Sequence, residues 1–169
     1  MFKKLNPIQA LRFIPQPLVI VTAGDPNDPK NRGGMTAAWA SRVSWSPPLI
    51  MVSIAPSRNT LNFIRKYKCF VVNVVTPSLE EVAYNVFGSL SSRNVDKFSV
   101  AGITPEEAKT ITAPVIPTAS IVLECRVVNE VEAGDHIMVV GEVVDAYRMS
   151  DEKPLVHYIG MPWKITKSD

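Results

Sequence analysis

The chain is poor in the residues that mark the commonest chemistries. Its two cysteines, Cys69 and Cys125, lie far apart in 169 residues, with no CxxC and no cluster of histidine ligands, which argues against a zinc site or a disulfide framework. Both sit in apolar, strand-like runs and read as small buried hydrophobes. None of the eight glycines builds a GxGxxG after a strand or a GxxxxGK[ST], and GxSxG and HExxH are missing too. Dinucleotide-fingerprint, phosphate-loop, nucleophile-elbow and zinc-protease readings lapse with them. There is little charge of either sign in excess: eighteen Lys and Arg against sixteen Asp and Glu give +2, and the basic residues are spread along the chain. Binding to nucleic acid or to a membrane surface gains no support. No apolar run reaches membrane-spanning length, and the first residues, with Lys3 and Lys4, lack the core of a signal sequence, so the expectation is a cytoplasmic protein.

What is present is an ordinary globular composition, 46% hydrophobic and 20% charged, over a length that suits one domain spanning residues 1–169. The fourteen prolines stiffen connections, and no Pro- or Gly-rich tract is long enough to divide the chain. Short β-branched runs bounded by Pro, Gly or Asn predict six strands: 17–23, 35–43, 49–54, 69–75, and a long hairpin of 121–131 and 136–148 joined through 132–135. The 35–43 strand is made of small residues, as though something large lies close against it. Helical spacing predicts one helix over 60–68, with Thr60 as N-cap and Leu61, Ile64 and Tyr67 on one side. A second begins at Ser78, with Glu81 at capping-box distance and Leu79, Val82, Val86 and Leu90 on one face. Strands separated by short helices and ending in a long hairpin point to a closed or nearly closed barrel, not a doubly wound sheet.

Three pieces carry the chemical reading: GGMTAAWAS at 33–41, SPPL at 46–49 and IAPSRNT at 54–60. If the small-residue strand and the loop after the third strand lie side by side, Ala37 and Ala38 let a flat polycyclic ligand reach the main chain, and Thr36 and Ser41 add hydroxyls. Ser57, Arg58, Asn59 and Thr60 open a helix, where free N–H groups favour an anion and Arg58 can grip phosphate oxygens. Taken alone, that segment is equally a plain helix cap with a solvated arginine.

In order and spacing these pieces resemble the flavin reductase-like, FMN-binding split-barrel family, which includes flavin reductases, ferric reductases and flavoredoxins. The resemblance spans nearly the whole chain. It rests on GMTAAW at 34–39, SWSPP at 44–48, SRNT at 57–60, FVVNV at 70–74, SSRNVDKF at 91–98, GDH at 134–136 and PLVHYIG at 154–160, the 91–98 segment looking most like the flavoredoxin branch. The resemblance implies a mainly β fold, a six-stranded Greek-key split β-barrel with short flanking helices, working as a homodimer. It implies FMN as cofactor and NADH or NADPH as electron donor. Thr36, Ala37, Ala38, Trp39, Ile54 and Ala55 would line the flavin ring, Ser57, Arg58 and Thr60 would hold the phosphate, and Asn59 would belong to the same cofactor site. Arg93 and Lys97 would approach a flavin site, of this chain or of a partner copy, or else pair with Asp96 or nearby acids. His136 would position the hydride donor; read from the residues alone it is equally a polar turn residue. His157 reads as structural, and Trp45 and Trp163 as core or dimer-interface residues.

Two activities follow from the resemblance. One is an NAD(P)H-dependent flavin reductase, in which hydride passes from nicotinamide to flavin and the reduced flavin leaves or serves a second acceptor such as a monooxygenase. The other is a flavoredoxin-like carrier whose FMN receives electrons from a partner redox protein. Hydride transfer asks little acid or base work of a protein, so the missing catalytic dyads do not count against either.

Overall fold

The computed structural model describes residues 2–159 and, as backbone, strand residues 161–164. In chain order α1 (Pro7–Leu11) and β1 (Gln16–Pro17) precede β2 (Val19–Gly24), β3 (Arg32–Ala37), β4 (Ala40–Ser44) and β5 (Leu49–Ile54). Then come α2 (Asn59–Tyr67), β6 (Cys69–Val74), and a helical segment in which α3 (Glu80–Val82) sits between a 3-10 turn (Pro77–Leu79) and a π turn (Ala83–Phe87). The rest comprises α4 (Lys97–Val100), β7 (Glu106–Glu107), β8 (Pro114–Val115), the hairpin β9 (Ile121–Ala133) and β10 (His136–Arg148), β11 (Leu155–Tyr158) and β12 (Met161–Lys164). Trp163 belongs to the stretch described as backbone alone, so its expected role lies outside the described side chains.

The large sheet has the order β3-β2-β6-β9-β10-β5-β4, antiparallel throughout. Its two edge strands, β3 and β4, are consecutive in the chain and joined by Ala38 and Trp39 alone. Two residues span about 11 Å at most from one strand end to the next, so the sheet has to curl until its edges approach. The Ser53 N–H donates to the Trp39 carbonyl at 2.9 Å, which carries the β4–β5 ladder one residue into the junction. The fold is therefore the mainly β barrel the sequence predicts, with one correction. The expected strand 35–43 breaks at Ala38–Trp39, its halves pairing with β2 and β5 at opposite edges, which makes seven strands in the described sheet where six were expected.

Strand β2 is buried at every position because each face has its own core. Val19, Val21 and Ala23 point into the barrel with Phe70, Val72, Val52 and Ile54. Ile20, on the other face, packs with Val71, Leu79, Phe87, Phe98 and Val122 under the helical segments. A period of two feeding two cores explains an unbroken apolar run. The close approach expected along the small-residue strand is made by protein: a Cβ on Gly34 would come within 2.8 Å of the Phe87 ring, and one on Gly33 within 2.6 Å of Ser92 Oγ.

Two cap assignments change. Arg58, not Thr60, is the N-cap of α2, and Thr60 is buried in the first turn. Ser78 does not pair with Glu81; its N–H and hydroxyl both donate to the Glu152 carboxylate, at 3.3 and 3.0 Å, so a tertiary partner has displaced the local one. The buried face of that segment is Leu79, Ala83 and Phe87, with Val82 and Val86 alongside. Both cysteines are free and buried, as expected, and burial pushes both thiols up from their ordinary values. His157 is tied to the Tyr84 hydroxyl at 2.8 Å through Nδ1, and burial, then the Arg12 charge, lowers its pKa. Trp45 is 76% exposed under the Arg42 guanidinium, 3.6 Å from its ring centre, so it is not a core residue.

Candidate functional site

The junction that closes the sheet also opens a groove. Its first half, about 160 Å³, is lined by Met35, Thr36, Ala37, Ala38 and Trp39 at the end of β3, by Ser53 and Ala55 at the end of β5, and by Arg58 and His136. Strand β3 is an edge, so alternate N–H and C=O groups along it point away from β2; the Gly34 carbonyl takes the Lys97 ammonium. His136 is there because the β9–β10 turn is only Gly134 and Asp135, and because Ile137 pairs with Ile54, which sets the hairpin tip beside Ala55. Its ring lies 4.6 Å from that of Trp39, tilted by 49°, and Nδ1 bonds Asp135 Oδ1 at 2.7 Å. Trp39 is 50% exposed and forms the outer wall.

The second half, about 200 Å³, runs between the start of α2 (Ser57, Arg58, Asn59, Thr60) and the loop Leu90 to Arg93, with Lys97 beneath and Met35 at the join. Met35 and Arg58 line both halves. The arrangement suits an anion. No side chain caps α2, so the positive end of the helix and its first N–H groups face the cavity. Arg58 and Arg93 add cations, and no carboxylate lines this half. Ser92 Oγ is buried with no hydrogen-bond partner.

Lys97 is the floor. It is 4% exposed, and its ammonium donates to the Gly34 carbonyl at 2.8 Å and the Phe87 carbonyl at 2.9 Å, leaving one of three N–H donors. Burial, then the nearby Arg58 charge, brings its pKa down to about 8. Asp96 does not neutralise it, because Asp96 is held by Arg32 through two bonds of 2.6 and 3.1 Å and by Ser99. Burial alone would raise the Asp96 carboxyl, but those bonds outweigh it and hold it low. Arg93 donates from Nη1 to the Ser57 carbonyl at 2.8 Å, also without an acid.

Of the residues singled out in the sequence, Thr36, Ala37, Ala38, Trp39, Ala55, Ser57, Arg58, Asn59, Thr60, Arg93, Lys97 and His136 are brought together, all within one chain. Three of the expected residues sit otherwise. Ile54 has its side chain in the barrel core, fully buried, and does not line the groove. Ser41 lies outside it, with its hydroxyl donating to the Arg42 carbonyl. Thr36 lines the groove, but its hydroxyl proton is committed to the Ala83 carbonyl in the π turn, which leaves the oxygen as an acceptor alone. Ser53, Met35 and the loop residues Leu90 to Ser92 were not foreseen. The alternation of β5 carried a signal for Ser53: with Ile54 turned inward, its neighbour must turn outward.

The model of the flavin reductase like domain matches residues 11–162. An uncharacterized protein of Archaeoglobus fulgidus is 39% identical over 129 residues, 73% of this chain and 71% of that protein; a longer relative from Aeropyrum pernix is spanned over 45% of its length. An NADH-dependent FAD reductase of Streptomyces globisporus is 31% identical over 135 residues, 79% of the chain and 70% of the relative. Among solved structures, a flavoredoxin from Methanosarcina acetivorans superposes with a TM-score of 0.86 over 100% of this chain and 94% of its own, at 24% identity, which establishes a shared fold.

Proposed function

The chain belongs to the flavin reductase-like domain family, and from that premise we propose that it is an FMN-binding oxidoreductase that takes hydride from NADH or NADPH. The observation that carries this reading is one groove with two chemically unlike halves. A slot bordered by an edge strand and small residues suits the flat, polar-edged ring. Next to it lies a cavity with three cations, an uncapped helix start, a spare ammonium donor, an unpartnered hydroxyl and no acid, which suits a phosphate. Polar groups left open in this way are costly unless a ligand completes them.

The bound flavin would accept a hydride at its ring and pass on two electrons. The protein supplies binding and placement. Arg58, Asn59, Thr60, Arg93 and Lys97 hold the phosphate, and Thr36 to Trp39 with Ser53 and Ala55 hold the ring in register. His136, fixed by Asp135 and laid against Trp39, bounds the face from which a nicotinamide approaches and orients it. Holding donor and acceptor rings in contact is the larger part of such catalysis.

A second reading, the flavoredoxin-like carrier, is favoured by the ring half itself. Trp39 forms its outer wall, where a second flavin would have to stack in order to exchange. On that reading FMN stays bound and reduces a protein partner, such as a redox protein or a monooxygenase, at the groove mouth. The natural setting is the cytoplasm, where reduced pyridine nucleotide is made; among the described residues no helix is long and apolar enough to cross a membrane. We also propose a homodimer, on the strength of exposed Leu5, Ile8, Leu11, Phe13, Val43 and Trp45.

The test is an absorbance spectrum of the purified protein, with FMN added if it is colourless, before and after anaerobic NADH or NADPH. Flavin bands bleached by pyridine nucleotide support the reductase, and bands that persist until a protein donor is supplied support the carrier. A chain that takes up no flavin rules out both.

A further inference from the structure

The phosphate half of the groove has two walls from distant parts of the chain, Ser57 to Thr60 and Leu90 to Arg93. One side-chain hydrogen bond joins them among the described residues: Arg93 Nη1 to the Ser57 carbonyl, 2.8 Å, across 36 residues of sequence. Arg93 is exposed while Lys97 is buried, so the bond spans the outer rim and the ammonium forms the floor. A guanidinium suits this position. Its planar fork carries five N–H groups, so one can hold Ser57 while others face the anion, which a lysine cannot do in a fixed geometry.

We propose that the Arg93–Ser57 bond is a clasp that closes the phosphate end of the groove and selects a flavin ending in a monophosphate over one extended by a nucleoside diphosphate. This inference rests on the flavin-binding reading above. A phosphomonoester stops at its phosphate and needs nothing beyond the rim. A dinucleotide flavin continues from the same phosphate through a second phosphate to ribose and adenine. The cavity measures about 200 Å³, and on this proposal the extension leaves between the two walls, where the clasp lies. A monophosphate carries about −1.5 to −2 near neutrality and the first phosphate of a dinucleotide only one charge, so charge favours the monophosphate as well. The clasp adds a steric selection to that of charge, and it turns on one hydrogen bond. It is a real choice for this family, since the Streptomyces globisporus relative is named for FAD.

Purified wild type and Arg93→Lys, which keeps the charge but lacks the planar fork, are titrated with FMN, FAD and riboflavin, following the change in flavin absorbance and fluorescence. The wild type is expected to bind FMN more tightly than FAD by about tenfold or more, an ordinary discrimination for a steric contact. In Arg93→Lys the charge at the rim is kept, and the FMN to FAD ratio is expected to fall by about tenfold. Riboflavin, which does not reach the clasp, binds both forms equally. A wild type that holds FAD as tightly as FMN, or a variant with an unchanged ratio, overturns the clasp. A protein that binds none of the three overturns the flavin site itself, and is told apart because riboflavin fails as well.

Discussion

Lys97 makes the phosphate half of the groove sensitive to pH. Buried among carbonyls with Arg58 near and no acid in contact, its ammonium loses a proton at about pH 8, well below the ordinary 10.5. At 1.36 kcal/mol per unit, the charged form in the empty groove is disfavoured by about 3 kcal/mol. A bound phosphate supplies the missing negative charge and lifts the group back toward its ordinary value. Below pH 8 Lys97 is protonated with or without ligand, and pH has no lever on binding through this group. Above pH 8 the empty site has lost a proton that the filled site keeps, so binding takes one up and affinity falls as pH rises, by up to tenfold per unit. FMN is thus expected to bind roughly tenfold more weakly at pH 9 than at pH 7, about 1.4 kcal/mol. The second phosphate ionisation, near 6, is nearly complete by pH 7 and does not interfere. Fluorescence titrations at pH 7, 8 and 9 measure the slope. Riboflavin should show none, and Lys97→Met should bind FMN weakly and equally across the range. A wild-type constant that is the same at pH 7 and 9, or a slope that survives in Lys97→Met, would refute the placement of Lys97 at the phosphate.

The other outcomes concern the ring end, the scaffold and the link between them. His136→Ala should slow anaerobic flavin reduction by NADH in stopped flow while FMN retention is kept; equal rates would leave His136 a turn residue. Glu124, fully buried, accepts from the Lys109 and Thr110 N–H groups and the Thr110 and Tyr147 hydroxyls, and so clamps the 108–112 loop to β9. Burial would raise its carboxyl, but those bonds hold it below the usual 4.5, so its stabilisation is present above 4.5 and is lost as pH falls through the lower folded value. Glu124→Gln, which turns an amide donor toward those donors, should cost about 1–3 kcal/mol in urea melts at pH 7. Gly34→Ala drives a methyl to 2.8 Å from the Phe87 ring and should cost about 1–3 kcal/mol through overpacking. Because Lys97 bonds the carbonyls of both Gly34 and Phe87, that variant should also bind FMN less tightly, and full FMN affinity in a destabilised variant would uncouple the two.

Much of the scaffold was legible locally. Strand β6 and the long hairpin read correctly from β-branched runs, and α2 from its apolar spacing, because each choice is set by near neighbours in the chain. The errors fall where a distant partner outbid a near one. Ser78 left its capping box for Glu152, and Thr36 gave its hydroxyl to the π turn. The strand at 35–43 broke because its second half found a better edge on β5 than on β2.

For this protein the sequence alone determined the class of fold, the order of its motifs and the residue types able to meet a ring and a phosphate, since composition, periodicity and turn chemistry are local quantities. Only the tertiary structure decided which of those residues meet. Closing the sheet through Ala38 and Trp39 set the Trp39 ring against His136, and packing Phe87 on Gly34 carried Lys97 under Arg58. No local rule foretells such contacts, because they follow from how a curled sheet and a distant helical turn share one volume. The same packing strips Lys97 of water and leaves it without an acid, which turns an ordinary lysine into the titrating floor of the groove.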